Sequence, residues 1–153
     1  MNKKILLDII GGLLIVLVVV VGYKLSPLLL PQSDLSIAPD PSCNVQQQAC
    51  SVALPGGGSL VFSVNTQPIP LVKPFEVKVE VRGSSAKNVA IDFAGVDMEM
   101  GFNRPQLAER SAGIFIGEAT LPVCVTGHMT WQATVLLETS DARIAVPFRF
   151  VTG

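Results

Sequence analysis

A nearly unbroken apolar run extends from Ile5 to Tyr23, close to the start of this 153-residue chain. A helix of about 19 residues is about 28 Å long, which matches the hydrocarbon core of a lipid bilayer. Lys3 and Lys4 precede the run, so the positive-inside rule predicts a cytoplasmic N-terminus and export of the remainder. Residues 1–25 are therefore predicted to form a cytoplasmic tip and one transmembrane helix.

A cleavable signal peptide is the alternative interpretation of this segment. Its best cleavage site, Val20-Val21-Gly22, matches the small-residue pattern poorly, so an uncleaved anchor is favoured. Residues 26–42 contain four prolines among scattered serines and aspartates, a composition typical of a stiff, extended linker. Residues 43–153 remain, enough for one domain with a real core and too few for two.

The exported domain shows the period-two alternation of β-strands. Phe75, Val77, Val79 and Val81 alternate with charged residues, as in a strand with one buried face. Looser alternation, bounded by Gly-, Pro- and Ser-rich turns, predicts further strands at 59–65, 88–93, 113–121, 129–138 and 143–151. The predicted fold class is all-β, an immunoglobulin-like β-sandwich preceded by one N-terminal transmembrane helix.

Two residues have specific predicted places in this sandwich. Trp131 lies on the apolar face of its strand and is predicted to be a core anchor. Pro147 lies within the last predicted strand, and because it lacks a backbone N–H it predicts an edge position or a bulge there.

Charge and cysteine content narrow the classes of function. The domain has eight Lys and Arg against nine Asp and Glu with the signs interspersed, which argues against a nucleic-acid partner. Cys43 and Cys50 are predicted to form a disulfide in an oxidising compartment, although thiolate ligation of a metal is an open alternative. Cys124 is left over, either as a small buried residue or as a reactive thiol.

Soft metal-ligand types gather in two short stretches of the domain. Met98 and Met100 lie in one, and Cys124, His128 and Met129 lie in the other. Thioether, thiolate and imidazole groups favour Cu(I) over harder ions. On an extended strand, Met98 and Met100 would project from one face with Cα atoms about 6.5–7 Å apart, close enough for both to hold one ion. If the sheets bring the two stretches together, the five residues form a copper site.

Each of these residues also has a structural interpretation, because methionine commonly fills gaps in cores and an isolated histidine is usually solvated. Enzymatic readings are weaker, and no enzyme activity is predicted. A Cys124/His128 nucleophilic pair lacks an orienting group, and a zinc site there lacks further ligands. The glycines at 56–58 lack the lysine and following helix of a phosphate-binding loop.

Several short motifs occur in a characteristic order after residue 75: Val96-Asp97-Met98-Glu99-Met100-Gly101, Gly113-x-Phe115-x-Gly117, Leu121-Pro122, Gly127-x-Met129-x-Trp131 and Phe148-x-Phe150. With the N-terminal apolar segment, this order resembles the FixH and YtkA-like group of bacterial membrane-anchored proteins. The resemblance implies a bacterial inner-membrane protein whose C-terminal domain lies in the periplasm. It also implies copper binding or delivery at Met98, Met100 and His128 or Met129, in cytochrome oxidase maturation. Cys43, Cys50 and Cys124 depart from the pattern of the group.

Three hypotheses of function follow. The first is a membrane-anchored periplasmic protein that binds Cu(I) and assists oxidase assembly together with a protein partner. The second is a metal-free structural or protein-interaction module of the cell envelope. The third is a thiol-redox partner that acts through Cys124.

Overall fold

The computed structural model describes residues 3–29, 35–122 and 127–153, and the side chains of 5–9 and 25–29 lie outside this description. The chain divides into two compact units, Met1–Gln32 and Ser33–Gly153. The first contains one α-helix, α1, at Lys3–Leu29, which covers the predicted helical segment. Within the described residues, no helix combines the length and apolarity needed to cross a lipid bilayer.

The second unit, called the β unit below, is built from nine strands. They are β1 (Leu35–Ser36), β2 (Cys50–Ala53), β3 (Ser59–Val64), β4 (Phe75–Arg82), β5 (Ala86–Gly95), β6 (Gln106–Ser111), β7 (Ile114–Ala119), β8 (Met129–Thr139) and β9 (Arg143–Thr152). Hydrogen bonds connect them in the order β1-β9-β8-β5-β6-β7-β4-β3-β2. All pairs are antiparallel except β1 with β9.

The sheet curls so that its two halves pack face to face, which confirms the predicted β-sandwich. β6 joins the halves, since it pairs with β5 on one side and with β7 on the other. Across the interior, the Phe62 and Phe148 rings lie 5.2 Å apart between centroids, and those of Phe75 and Phe93 lie 6.2 Å apart. Each pair takes one ring from each half, so the two inner faces share one core.

Alternation along the strands determines which residues enter this core. In β4, Phe75, Val77, Val79 and Val81 are buried while the residues between them are not. β8 shows the same pattern, and Trp131 is only 1% exposed. The indole N–H of Trp131 donates to Thr152 Oγ1 at 3.0 Å, so the one polar atom of this side chain is satisfied inside the core. The prediction of a core tryptophan is confirmed.

Cys43 and Cys50 form the predicted disulfide, with Cα atoms 5.8 Å apart. Cys50 opens β2 and is fully buried, while Cys43 packs against the core from the preceding loop. The alternative of two thiolate metal ligands is therefore wrong for this pair.

Three strands were absent from the strand prediction: β1, β2 and β6. β6 carries only one buried side chain, Leu107, so it has no apolar stripe to reveal it. β1 lies within the stretch predicted to be a linker, and its two residues pair with Ile144 and Ala145 of β9. That part of residues 26–42 therefore belongs to the β unit.

The turn between β2 and β3 requires a glycine. Gly58 has a φ of +92°, and a Cβ at this position would collide with the backbone carbonyl of Arg82. Because the strand ends approach so closely, only a residue without a side chain fits here.

Candidate metal centre

The predicted ligands lie where β5 ends and β8 begins. Gly95, the last residue of β5, pairs with Trp131 of β8. One residue further, the Val96 N–H donates to the Thr130 carbonyl at 2.9 Å, so the chain leaves the sheet directly beside the start of β8. This register brings the segment 96–100 next to Met129, as the copper hypothesis requires.

Two methionine side chains, those of Met100 and Met129, approach the same residue, Gly95. A Cβ at Gly95 would collide with the terminal methyl of Met129 and with the backbone oxygen of Met98, and it would lie 3.2 Å from Cγ of Met100. The side chains of Met100 and Met129 therefore occupy the space above one glycine. The absence of a side chain at Gly95 is what allows two thioether chains from different stretches to meet.

The prediction of an extended strand over 98–100 is wrong. β5 ends at Gly95, residues 96–98 form a bend, and Gly101 takes a φ of +76° before the chain crosses to β6. As a result Met98 and Met100 do not share one face. Met98 is 42% exposed, whereas Met100 is half-buried and packs against the core.

The three methionines form a graded series from surface to core, called the methionine cluster below: Met98 is exposed, Met100 is half-buried, and Met129 is 4% exposed. The deepest member opens β8 and packs with the core residues of that strand. Thioether groups at the rim of a core are apolar enough to pack there and still offer sulfur lone pairs to a soft cation.

Of the other two predicted ligands, His128 lies within the described residues and Cys124 does not. His128 is exposed and directly precedes Met129, and the backbone of Gly153 packs against Gly127 and His128. Cys124 lies in 123–126, outside the described residues. Within the described part of the chain, no three histidine, cysteine, aspartate or glutamate side chains converge as they would around a metal ion. Among the described residues, the methionine thioethers and the imidazole of His128 are the soft or borderline ligand types near this end of the sandwich.

Sequence reasoning missed two features of this region. The close approach of Met129 to Gly95 depends on sheet register, which the sequence alone does not reveal. Phe102 is 81% exposed, and the Arg104 guanidinium lies 5.0 Å above its ring. Arg104 also binds Asp92 with an Nε to Oδ1 distance of 3.1 Å, which fixes the loop after the methionines to β5.

Comparison with family models, with curated proteins and with solved structures finds no match to this chain.

Proposed function

We propose that this protein is a membrane-anchored, periplasmic copper accessory protein that binds Cu(I) at the methionine cluster. Met100 and Met129 are the central ligands, and Met98, His128 and Cys124 are the candidates to complete the coordination. The bound copper is delivered to a partner protein during assembly of a copper-dependent oxidase. The observation that supports this proposal is the meeting of two thioether chains from separate stretches over Gly95.

The proposed location is supported by two features of the chain. The apolar run within α1, preceded by Lys3 and Lys4, is the proposed inner-membrane anchor. The Cys43–Cys50 disulfide suits an oxidising compartment such as the periplasm. Delivery of Cu(I) needs soft ligands and a site that the ion can enter and leave quickly. The exposed thioether of Met98 offers such a route into the methionine cluster.

Titration of Cu(I) into the full-length protein in mild detergent tests this proposal. The experiment uses ascorbate to keep copper reduced and a chromophoric Cu(I) chelator as competitor. We expect one copper per chain. Met100→Leu combined with Met129→Leu should weaken the apparent affinity at least about tenfold, equivalent to about 1.4 kcal/mol, because leucine keeps the packing volume but removes the sulfur.

Two matched variants show which sulfur atoms matter. Met98→Leu removes the exposed thioether and should weaken binding less than the double substitution. Cys124→Ser removes the thiol, and binding that survives in this variant does not depend on that thiol. No stoichiometric uptake, or uptake that the double leucine variant leaves unchanged, would reject the copper proposal.

A metal-free interaction module is the second candidate function, and one observation favours it. Val96, Met98 and Phe102 are all exposed on the loop that follows β5, at 43%, 42% and 81%. An exposed apolar group of this kind is typical of a protein-binding surface. If the full-length protein takes up no copper, the proposed function is protein binding through this exposed apolar loop.

A further inference from the structure

A second site lies along the outer edge of β9. An open cleft of about 850 Å³ has one wall formed by residues 149–153 together with Thr130 of β8, and the opposite wall formed by two loops, 41–47 and 68–71. This volume falls within the range of about 300–1,000 Å³ that is usual for ligand sites. We call this space the edge cleft.

The edge of β9 that faces the cleft offers backbone hydrogen-bonding groups. Ile37 N–H donates to the Ala145 carbonyl at 3.0 Å, so Ala145 turns its backbone groups away from β8 and toward β1. Because backbone groups alternate in direction along a strand, Pro147, Arg149 and Val151 face the same way. Pro147 has no N–H to offer, which fits the predicted edge position for this residue. In the described pairing, β1 covers this edge only at Ile144 and Ala145.

The side chain of Gln46 occupies part of the space in which a further strand would pair with β9. Gln46 donates from Nε2 to the Val151 carbonyl at 2.8 Å and accepts the Ile69 N–H at Oε1 at 2.9 Å. A side-chain amide has the same donor and acceptor groups as a peptide bond. At Val151 the Gln46 amide therefore takes the place of a peptide group from a neighbouring strand. The N–H and carbonyl of Arg149 still face the cleft.

Charge indicates what kind of strand this edge accepts. Arg149 is exposed and is the charged side chain among the residues that line the cleft, and its Nε donates to Gln132 Oε1 at 3.2 Å. Asp40, next to the cleft in sequence, is engaged by the hydroxyl and N–H of Ser42, and these hydrogen bonds lower the pKa of Asp40. A second copy of β9 is a poor occupant, because antiparallel pairing centred on Arg149 would place two arginines opposite each other.

We propose that the edge cleft binds an extended, acidic segment of a partner protein, which adds antiparallel to β9 beside Arg149. Main-chain hydrogen bonds to Arg149 and Val151 provide the affinity, and the guanidinium selects a carboxylate opposite it. The incoming strand displaces the Gln46 amide from the Val151 carbonyl. The lining of the edge cleft includes Thr130, next to Met129, but no methionine, so variants at Arg149 and at Met100 test the two proposals separately.

The test uses the full-length protein in micelles and an acetylated, amidated probe peptide, Thr-Val-Thr-Glu-Thr-Val-Thr. Its two valines and central glutamate share one face, which matches the alternation of Pro147, Arg149 and Val151. We expect saturable NMR shifts of the amides at 149–151 and in the loop 41–47, with a Kd below about 1 mM. Replacing the central glutamate by lysine should weaken binding about 2- to 5-fold or more, the range of an exposed ion pair.

Two variants of Arg149 separate the backbone hydrogen bond from the charge. Arg149→Pro deletes the edge N–H at a position where Pro147, two residues earlier, shows that proline is accepted, and it should abolish the shifts. Arg149→Ala removes only the charge and should weaken binding about 2- to 5-fold. A probe that is N-methylated at its central residue loses the partner bond of this pair, from the probe N–H to the Arg149 carbonyl, on the unaltered protein, so the result does not depend on how Arg149→Pro folds. Absence of localised shifts at millimolar peptide, or equal binding of the N-methylated probe, would overturn the proposal.

Discussion

Trp131→Ala is expected to lower the free energy of unfolding of the β unit by about 3–5 kcal/mol. The side chain is 1% exposed near the start of β8, and its N–H donates to Thr152 Oγ1 at 3.0 Å. Truncation removes a large buried apolar surface and leaves a cavity between the two halves of the sheet. Denaturant unfolding followed by far-ultraviolet circular dichroism measures this loss, since the variant has no tryptophan fluorescence to follow.

Two further variants calibrate the Trp131 result. Trp131→Phe keeps most of the buried apolar surface and loses the N–H, so its cost should be clearly smaller than that of alanine. Val151→Ala removes a side chain that is 55% exposed on the neighbouring strand and should change stability by less than about 0.5 kcal/mol. A cost below about 1 kcal/mol for Trp131→Ala would contradict the core position of this residue.

Loss of the disulfide is expected to have the second-largest effect on stability. Cys43→Ser with Cys50→Ala should destabilise the β unit by about 2.5 kcal/mol, the chain-entropy value for a loop of about eight residues. Cys50 is fully buried and Cys43 packs on the core, so alanine and serine also remove contacts there. The measurement is the denaturant midpoint of the full-length protein without reductant.

Reductant provides the matched control for the disulfide prediction. Dithiothreitol should lower the midpoint of the unaltered protein toward that of the double variant, and it should leave the double variant unchanged. An unaltered protein whose unfolding is insensitive to reductant would contradict a stabilising role for this bond.

Much of the fold was predictable because burial imposes a period of two on strands with one solvated face. The alternation in β4 and β8 gave the correct buried faces, including Trp131. The disulfide followed from spacing and compartment. Pro147 lies in β9, beyond the two residues of that strand that pair with β1. β6 was missed because a strand with a single buried residue has no such period, and β1 was missed because two residues are too few to show one.

The sequence was enough to predict which residues form the candidate site, but it was not enough to predict their geometry. Met98 and Met100 alternate in sequence as strand residues do, yet β5 ends at Gly95 because the chain must turn toward β6. Met100 and Met129 both lie over Gly95 because of the register that pairs Gly95 with Trp131, which is a property of the assembled sheet. Local sequence carries no information about that register.

X-ray absorption at the copper edge of the Cu(I)-loaded, full-length protein tests the copper proposal most directly. The methionine cluster predicts sulfur neighbours around the metal that persist in Cys124→Ser and are fewer in the Met100→Leu, Met129→Leu double variant. A metal surrounded only by nitrogen and oxygen, or the same number of sulfur neighbours in the double variant, would contradict copper binding at this site.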